Sequence, residues 1–274
     1  MKICLLQPTV KSPGNNFLPL GIGYLAGYLE KNGHEPRILD LEVQKFTDEE
    51  LLQVLADFKP EAVGLTVTIA SMAEAIRLGK IFSGHFRWVL YGGPQPTMEP
   101  ESFLLRDNNI VVRGEGELTL LELCNLLPRL NNLSQIKGIS FLKNGKPVHN
   151  PNRELIKDID SIPFPARRLY PLALYEMYLH DRKATNIITS RGCPFECIFC
   201  YNMGGRVYRP RSAENILREL QSLKDEYGFS AFNHGYGLFI DLHCHVLCIY
   251  CIFFALSITQ YYSTVPFLSI ISFR

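Results

Sequence analysis

Short apolar runs alternate with longer helix-compatible segments over the first 128 residues of the chain. Five of the runs are predicted as strands, at 3–7, 37–41, 62–68, 88–91 and 110–112. Helices are predicted between them, at 20–32, 48–58, 71–82 and 118–127. Because strands covered on both faces have continuous apolar sequences, and because the connections are short, this alternation predicts an α/β fold with a Rossmann-like, doubly wound parallel sheet. Such sheets bind ligands outside the carboxyl ends of their strands, at the switch in strand order.

The loops at those carboxyl ends carry hydroxyl groups, glycines and a carboxylate. The candidate ligand contacts are Thr66, Ser71, Gly92, Gly93, Gly114 and Glu115. Hydroxyl groups can hydrogen-bond a polar ligand, and paired glycines let a ligand approach the backbone closely. A single glycine pair on its own indicates no more than a tight turn. The loops nevertheless share one edge of the predicted sheet, which is where a ligand is expected.

A second feature is a short predicted strand at 186–189 that runs into three cysteines spaced C-x3-C-x2-C, at Cys193, Cys197 and Cys200. Closely spaced thiolates are the ligands of iron–sulfur clusters. Three of them leave the fourth iron of a four-iron cluster open, and an open metal position is typical of a catalytic site. A zinc site needs a fourth ligand, and the nearest candidate, His180, has no motif spacing. A disulfide is not expected in a chain without a signal peptide.

This spacing, with Phe199 directly before the third cysteine, resembles the signature of the radical S-adenosylmethionine superfamily. The resemblance implies a [4Fe–4S] cluster on Cys193, Cys197 and Cys200, with S-adenosyl-L-methionine on the open iron and Phe199 near its adenine. It also implies reductive cleavage of that cofactor to a 5′-deoxyadenosyl radical. The expected partners are a small-molecule substrate and an electron donor.

The N-terminal loops are similar to the cobalamin-binding domain that precedes the cluster domain in one class of that superfamily. The matching stretches are 20–40, 62–71, 92–97 and 113–120. Cobalamin domains that ligate cobalt through histidine carry Asp-x-His-x-x-Gly after the first strand, whereas the loop at 8–16 has no histidine. The resemblance therefore implies cobalamin bound without a protein imidazole, against the loop residues named above.

Four segments follow from these features. They are a cobalamin-binding domain at 1–130, a hairpin and interdomain linker at 131–183, the first part of a radical S-adenosylmethionine partial (β/α) barrel at 184–233, and an apolar tail at 234–274. The hairpin is predicted around Asn144-Gly145, a strong two-residue turn signal. In the barrel segment a helix is predicted from Ala213 to about Tyr227, with Ser212 as its cap.

The tail has only two charged side chains, Asp241 and Arg274. It is interpreted first as a truncation or out-of-frame read-through, which predicts an incomplete, inactive form of the enzyme. One alternative is a membrane segment at 242–273. Another is a second cluster site, because Cys244, Cys248 and Cys251 repeat the C-x3-C-x2-C spacing, although without the surrounding motif.

The predicted function is a radical S-adenosylmethionine enzyme of the cobalamin-binding class that catalyses methyl transfer or a related radical rearrangement. The alternative is a non-catalytic cobalamin-binding module with a metal-binding cysteine loop. A net charge of +1 with interspersed charges gives no indication of nucleic-acid binding. The expected location is the cytoplasm, with membrane contact only through the tail.

Overall fold

The structure, a computed structural model, describes residues 1–10, 17–129, 132–179, 182–198 and 201–234. Several residues of the predictions lie outside this range. They are His180, Phe199, Cys200, most of the loop at 8–16, and the tail from residue 235 with its three cysteines.

A seven-stranded sheet forms the first and larger part of the fold. Its strands are β1 (Lys2–Gln7), β2 (Glu35–Asp40), β3 (Ala62–Thr66), β4 (Trp88–Gly92), β5 (Asn109–Val112), β6 (Ile139–Lys143) and β7 (Lys146–His149), in the order β2-β1-β3-β4-β5-β6-β7. The first five strands are parallel. The predicted doubly wound α/β fold is thus confirmed, and the strand order reverses between β1 and β3.

Helices cover both faces of this sheet. They are α1 (Leu20–Lys31), α2 (Asp48–Phe58), α3 (Met72–Phe82), the short α4 (Pro94–Met98) and α5 (Glu117–Leu126). Alternate residues of β1 enter different cores, since Ile3 packs with α1 and α5 whereas Cys4 packs with α2 and α3. Burial on both faces explains why the strand sequences are apolar throughout.

The hairpin of β6 and β7 extends the main sheet, because β6 pairs antiparallel with β5 through Ile110↔Phe141 and Val112↔Ile139. Its two-residue turn has positive φ at Asn144 and Gly145, as predicted. The α/β unit therefore continues to β7, past the boundary at residue 130 that the sequence suggested. Without β6, the backbone groups of β5 would form an unpaired edge.

The linker after the hairpin packs on the glycine side of α1. Ala166 donates its N–H to the Gly23 carbonyl at 3.0 Å, and the Tyr170 hydroxyl donates to the Pro19 carbonyl at 2.8 Å. A Cβ on Gly27 would lie 2.6 Å from the Phe164 carbonyl oxygen. Glycines in α1 thus allow the linker backbone to approach the helix closely, and they fix its path.

A second, three-stranded sheet begins after the linker. Its strands are β8 (Tyr178–Leu179), β9 (Arg182–Ile187) and β12 (Ala231–His234), in the order β12-β9-β8. Helix α6 (Ala213–Tyr227) connects β9 to the parallel strand β12. The predicted cap is confirmed, since the Ser212 hydroxyl accepts from the Asn215 N–H, and Gly228 ends the helix at a φ of 70°. This is the strand–helix–strand unit expected at the start of a barrel.

A two-stranded ladder lies between β9 and α6 in the chain: β10 (Ser190–Arg191) pairs antiparallel with β11 (Arg209–Pro210). The segment that it closes, residues 192–208, is called the cysteine loop below. In the described part of the chain, no helix is both long and apolar enough to span a bilayer.

Candidate functional site

A cavity of about 510 Å³ lies at the carboxyl ends of β1, β3, β4 and β5. One wall is made by these strand ends, by α1 and by the loop between β5 and α5. The opposite wall is made by the cysteine loop, through Gly192, Cys193 and the segment 201–204. The position at the switch in strand order is where doubly wound sheets bind ligands. Both features that the sequence singled out therefore line one space.

Five of the six predicted ligand contacts line this cavity: Thr66, Gly92, Gly93, Gly114 and Glu115. Ser71 is not among the lining residues. Its hydroxyl is buried and accepts from the Thr68 N–H at 3.0 Å, so it closes the turn that begins α3. A serine three residues after a threonine commonly makes such a local turn, and this competes with a ligand role.

Thr97 joins the two glycine loops, a role that the sequence analysis missed. Its hydroxyl donates to the Gly93 carbonyl at 2.8 Å and accepts from the Gly114 N–H at 3.1 Å. Gly93 has a φ of 100°, and a Cβ there would lie 2.8 Å from the Val67 carbonyl oxygen. Only glycine fits that position, so the loop after β4 is fixed against the end of β3.

Open space adjoins two other glycines of the lining. Among the residues that the structure describes, a Cβ on Gly21, in the first turn of α1, or on Gly114 would meet no atom within 4 Å. Glycine within a helix costs about 1 kcal/mol relative to alanine. No described neighbour requires glycine at position 21, so the missing side chain leaves the cavity larger there. This is the cradle that a bulky ligand needs.

The cavity is lined by side chains that carry sulfur, oxygen and nitrogen atoms. Cys193 and Met203 contribute sulfur, and no histidine lines the cavity among the residues that the structure describes. The largely apolar lining and the open space beside Gly21 and Gly114 fit a bulky cofactor such as cobalamin. The site has mostly apolar walls and a few polar groups, which is typical of cofactor pockets.

Backbone contacts hold Cys193 in place. Its N–H donates to the Gly205 carbonyl at 3.0 Å, and the Asn202 amide donates to the Cys193 carbonyl at 2.6 Å. The preceding Gly192 has a φ of 79°, a conformation that glycine adopts without strain. Cys193 is buried and Cys197 is exposed, and both are free thiols.

The third cysteine, Cys200, and the adjacent Phe199 lie outside the described residues. Within the described ranges, no group of three or more His, Cys, Asp or Glu side chains is placed to hold a metal. The donor chemistry of the loop, with two free thiols and the third cysteine three residues on, fits an iron–sulfur cluster.

Glu115 lines the cavity, but protein groups occupy its carboxylate. Arg209 donates to it at 2.9 and 3.0 Å, Arg191 at 3.3 Å, and the Ile156 N–H at 2.8 Å. Burial alone raises the pKa of the Glu115 carboxyl, but these hydrogen bonds and charges outweigh it and hold the pKa below its usual range. The group is therefore a carboxylate at neutral pH, and it joins the cavity wall to the cysteine loop.

Tyr24 is a further lining residue that the sequence analysis did not identify. The guanidinium of Arg191 lies over its ring, 5.3 Å from the ring centre. Its hydroxyl is buried and has no hydrogen-bond partner among the described residues. Burial raises the pKa of Tyr24 to about 12, so the hydroxyl keeps its proton at neutral pH.

Known proteins match the chain in sequence and in fold. Residues 7–124 match the family model of the B12-binding domain. An uncharacterized methyltransferase of Pyrococcus horikoshii is 36% identical over 240 residues, which covers 83% of this chain and 51% of that protein. The cobalamin-dependent S-adenosylmethionine radical enzyme OxsB, solved with aqua-cobalamin and S-adenosylmethionine bound, superposes with a TM-score of 0.73. Residues 7–124 are thus similar to the B12-binding domain, and the chain shares its fold with a cobalamin-dependent S-adenosylmethionine radical enzyme.

The matched range, residues 7–124, lies within the first five strands of the main sheet and their helices. The superposition on OxsB covers 85% of this chain and 34% of that chain at 24% identity, so it shows the shared fold. The cytidylyl-2-hydroxyethylphosphonate methyltransferase of Streptomyces wedmorensis is 26% identical, over 85% of this chain and 54% of that protein. This chain thus spans about half the length of the curated relatives that it matches.

Proposed function

We propose that the chain binds cobalamin in the cavity and a [4Fe–4S] cluster on the cysteine loop, as part of a methyl-transferring radical S-adenosylmethionine enzyme. One observation carries the proposal: a single cavity is lined both by the glycine loops of the B12-binding domain and by Cys193. A carrier of methyl groups and a source of electrons must lie close together for such chemistry, and this cavity supplies adjacent places for both.

Within the proposed site, the glycines make room for the corrin. Gly92, Gly93 and Gly114 present backbone to the ligand, and Gly21 leaves the space beside α1 open. Thr66 supplies a hydroxyl group that can hydrogen-bond a polar substituent of the ligand. The apolar walls of the cavity would exclude water from a bound ligand.

Cys193, Cys197 and Cys200 are the proposed cluster ligands, and Phe199 is the proposed contact of the adenine. When bound, these groups supply one-electron reduction of S-adenosyl-L-methionine and a cobalt centre that carries methyl groups. The chain's own contribution is to orient them and to keep water out. An external electron donor and a small-molecule substrate complete the proposal, and a cytosolic location is consistent with the free thiols Cys4 and Cys124.

Methyl transfer is preferred over other radical reactions because both curated relatives described above are named methyltransferases. The substrate is not assigned, since the described residues include only the first strand–helix–strand unit of the barrel segment.

The test uses the full chain in two independent titrations. Aquacobalamin is added to the purified protein and binding is followed by its visible absorbance. In the second titration, a separate sample of the protein is reconstituted anaerobically with iron and sulfide. We expect stoichiometric cobalamin and one four-iron cluster, which is lost when Cys193, Cys197 and Cys200 are all changed to alanine.

The matched control replaces Cys244, Cys248 and Cys251, which have the same spacing, and it should keep the cluster. Loss of the cluster in the control variant alone would place the metal in the tail and contradict the assignment. Cobalamin binding without any cluster would favour a cobalamin-binding module without radical chemistry.

A further inference from the structure

Two arginines face each other at the base of the cysteine loop. In the ladder of β10 and β11, Arg191 lies directly opposite Arg209. Their side chains are only 15% and 7% exposed. Like charges at directly opposed positions destabilise a strand pair, and burial strengthens the repulsion. The ladder that closes the loop therefore needs negative charge from elsewhere in the fold.

Glu115 and Glu117 supply that charge from the B12-binding domain. Glu115 accepts from both arginines, and Glu117 accepts from Arg191 at 2.5 Å. The two carboxylates are 8% and 4% exposed. Two buried anions thus balance two buried cations across the boundary between the domains. We call these four residues the ion-pair network.

The ion-pair network lies close to Cys193 along the backbone. Only Gly192 separates Arg191 from Cys193. Arg209 donates to the Gly204 carbonyl at 2.6 Å, and the next carbonyl, that of Gly205, accepts from the Cys193 N–H at 3.0 Å. A displacement of either arginine would therefore move the backbone that carries Cys193.

We propose that Glu115 is a positioning residue: by neutralising Arg191 and Arg209, it closes the base of the cysteine loop and fixes Cys193 against the cobalamin cavity. This rests on the proposed function, because Cys193 is a cluster ligand only under that proposal. Glu115 acts through the arginines, and its carboxylate does not have to touch either cofactor. The network sets the separation between the two cofactor sites.

A second buried ion pair in the molecule lacks these properties. Glu219 of α6 pairs with Arg167 and Arg211, and it joins the linker to α6. Neither of these arginines belongs to the ladder that closes the cysteine loop. The ion-pair network of Glu115 differs because both of its cations lie in that ladder.

The experiment measures alkylation of the cysteines in the cofactor-free full chain, with each site quantified by peptide mass spectrometry. The variant is Glu115→Gln. The matched control is Glu122→Gln, which removes a carboxylate of α5 that pairs with Arg153 outside the network. Buried Cys4 and Cys124 report global unfolding, and exposed Cys197 gives the rate for a reactive thiol of the same loop.

We expect Glu115→Gln to raise the alkylation rate of Cys193 at least about tenfold while Cys4 and Cys124 stay protected. Glu122→Gln should leave all three rates unchanged. An unchanged Cys193 rate in folded Glu115→Gln protein would overturn the proposal. If Glu115→Gln also exposes Cys4 and Cys124, the same measurement is made on Arg209→Gln, which leaves the contact of Arg191 with Glu117 intact. If Cys193, Cys4 and Cys124 all become exposed in Arg209→Gln as well, the proposal is overturned. The ion-pair network would then stabilise the whole fold and not the cysteine loop in particular.

A second arm repeats the alkylation with saturating aquacobalamin. In the wild-type chain, filling the cavity should slow alkylation of Cys193 further. In Glu115→Gln this protection should be lost although cobalamin still binds. Equal protection in both proteins would contradict the coupling. Absence of cobalamin binding by the wild-type chain would refute the proposed function instead, and the cofactor-free comparison would still decide whether Glu115 positions the loop.

Discussion

Gly192→Ala is expected to open the cysteine loop. The native φ of 79° lies in the left-handed region, where a residue with a Cβ costs about 1–2 kcal/mol more than glycine. The added Cβ would also lie 2.0 Å from the Val207 carbonyl oxygen and 3.0 Å from that of Gly204. Both are backbone atoms, so relief requires a shift of the loop itself. Overpacking of this kind costs about 1–3 kcal/mol.

Together the two contributions amount to about 2–5 kcal/mol. Whole domains are stable by about 5–15 kcal/mol, so the seven-stranded sheet should remain folded while the loop opens. The control is Gly228→Ala at the end of α6. It has a φ of 70°, but a Cβ there would meet no atom of the described residues within 4 Å, so it isolates the cost of the left-handed backbone from that of the clash.

Hydrogen–deuterium exchange of peptides from residues 190–198 measures the effect without any cofactor. A loss of 2 kcal/mol corresponds to exchange that is roughly 30-fold faster in these peptides. Gly228→Ala should leave them unchanged. Exchange in Gly192→Ala within about threefold of wild type would refute the reasoning, because it would show that the loop accommodates the methyl group at little cost.

Three further predictions concern the cavity and its charges. Cobalamin bound to this chain should show no nitrogen superhyperfine splitting from a protein imidazole in the electron paramagnetic resonance spectrum of its Co(II) form, since the loop at 8–16 has no histidine; such splitting would contradict the assignment. Gly21→Ala should raise the free energy of unfolding by up to about 1 kcal/mol and weaken cobalamin binding, as titration would show, whereas unchanged affinity would mean that the ligand does not occupy the space beside α1. The Glu115 carboxylate, whose pKa is lowered in the folded protein, stabilises the fold fully above its usual pKa of about 4.5, and this contribution is lost as pH falls through the lower folded pKa. The difference in urea midpoint between wild type and Glu115→Gln should therefore shrink on acidification, and a constant difference would argue against an ionic role.

Features of the fold that depend on local sequence were predictable. Continuous apolar runs identified the parallel strands because both faces of such strands are buried. Ser212 caps its helix through the N–H of Asn215, three residues on, and Asn144-Gly145 adopts the backbone conformation of its turn. The position of the cavity was also predictable, because parallel strands present their carboxyl ends at one edge of the sheet and ligands bind there.

The sequence did not indicate that the hairpin completes the main sheet. A strand pattern records which faces are buried, but it does not record which neighbour receives the edge hydrogen bonds. The path of the linker across Gly23 and Gly27 of α1 was equally hidden. Glycines in a helix lower its propensity, and only the backbone that packs on them explains their presence.

At Glu115, too, the sequence predicted one part of the arrangement and only the tertiary structure showed the rest. Its place in the loop after β5 follows from the sequence, and so does its position beside the cavity. Its partners, Arg191 and Arg209, lie 76 and 94 residues further along the chain. Sequence patterns determine which residues are buried and which backbone shapes they adopt, because those depend on near neighbours. The choice of partner for a buried charge depends on distances between remote segments, and only the tertiary structure decides them.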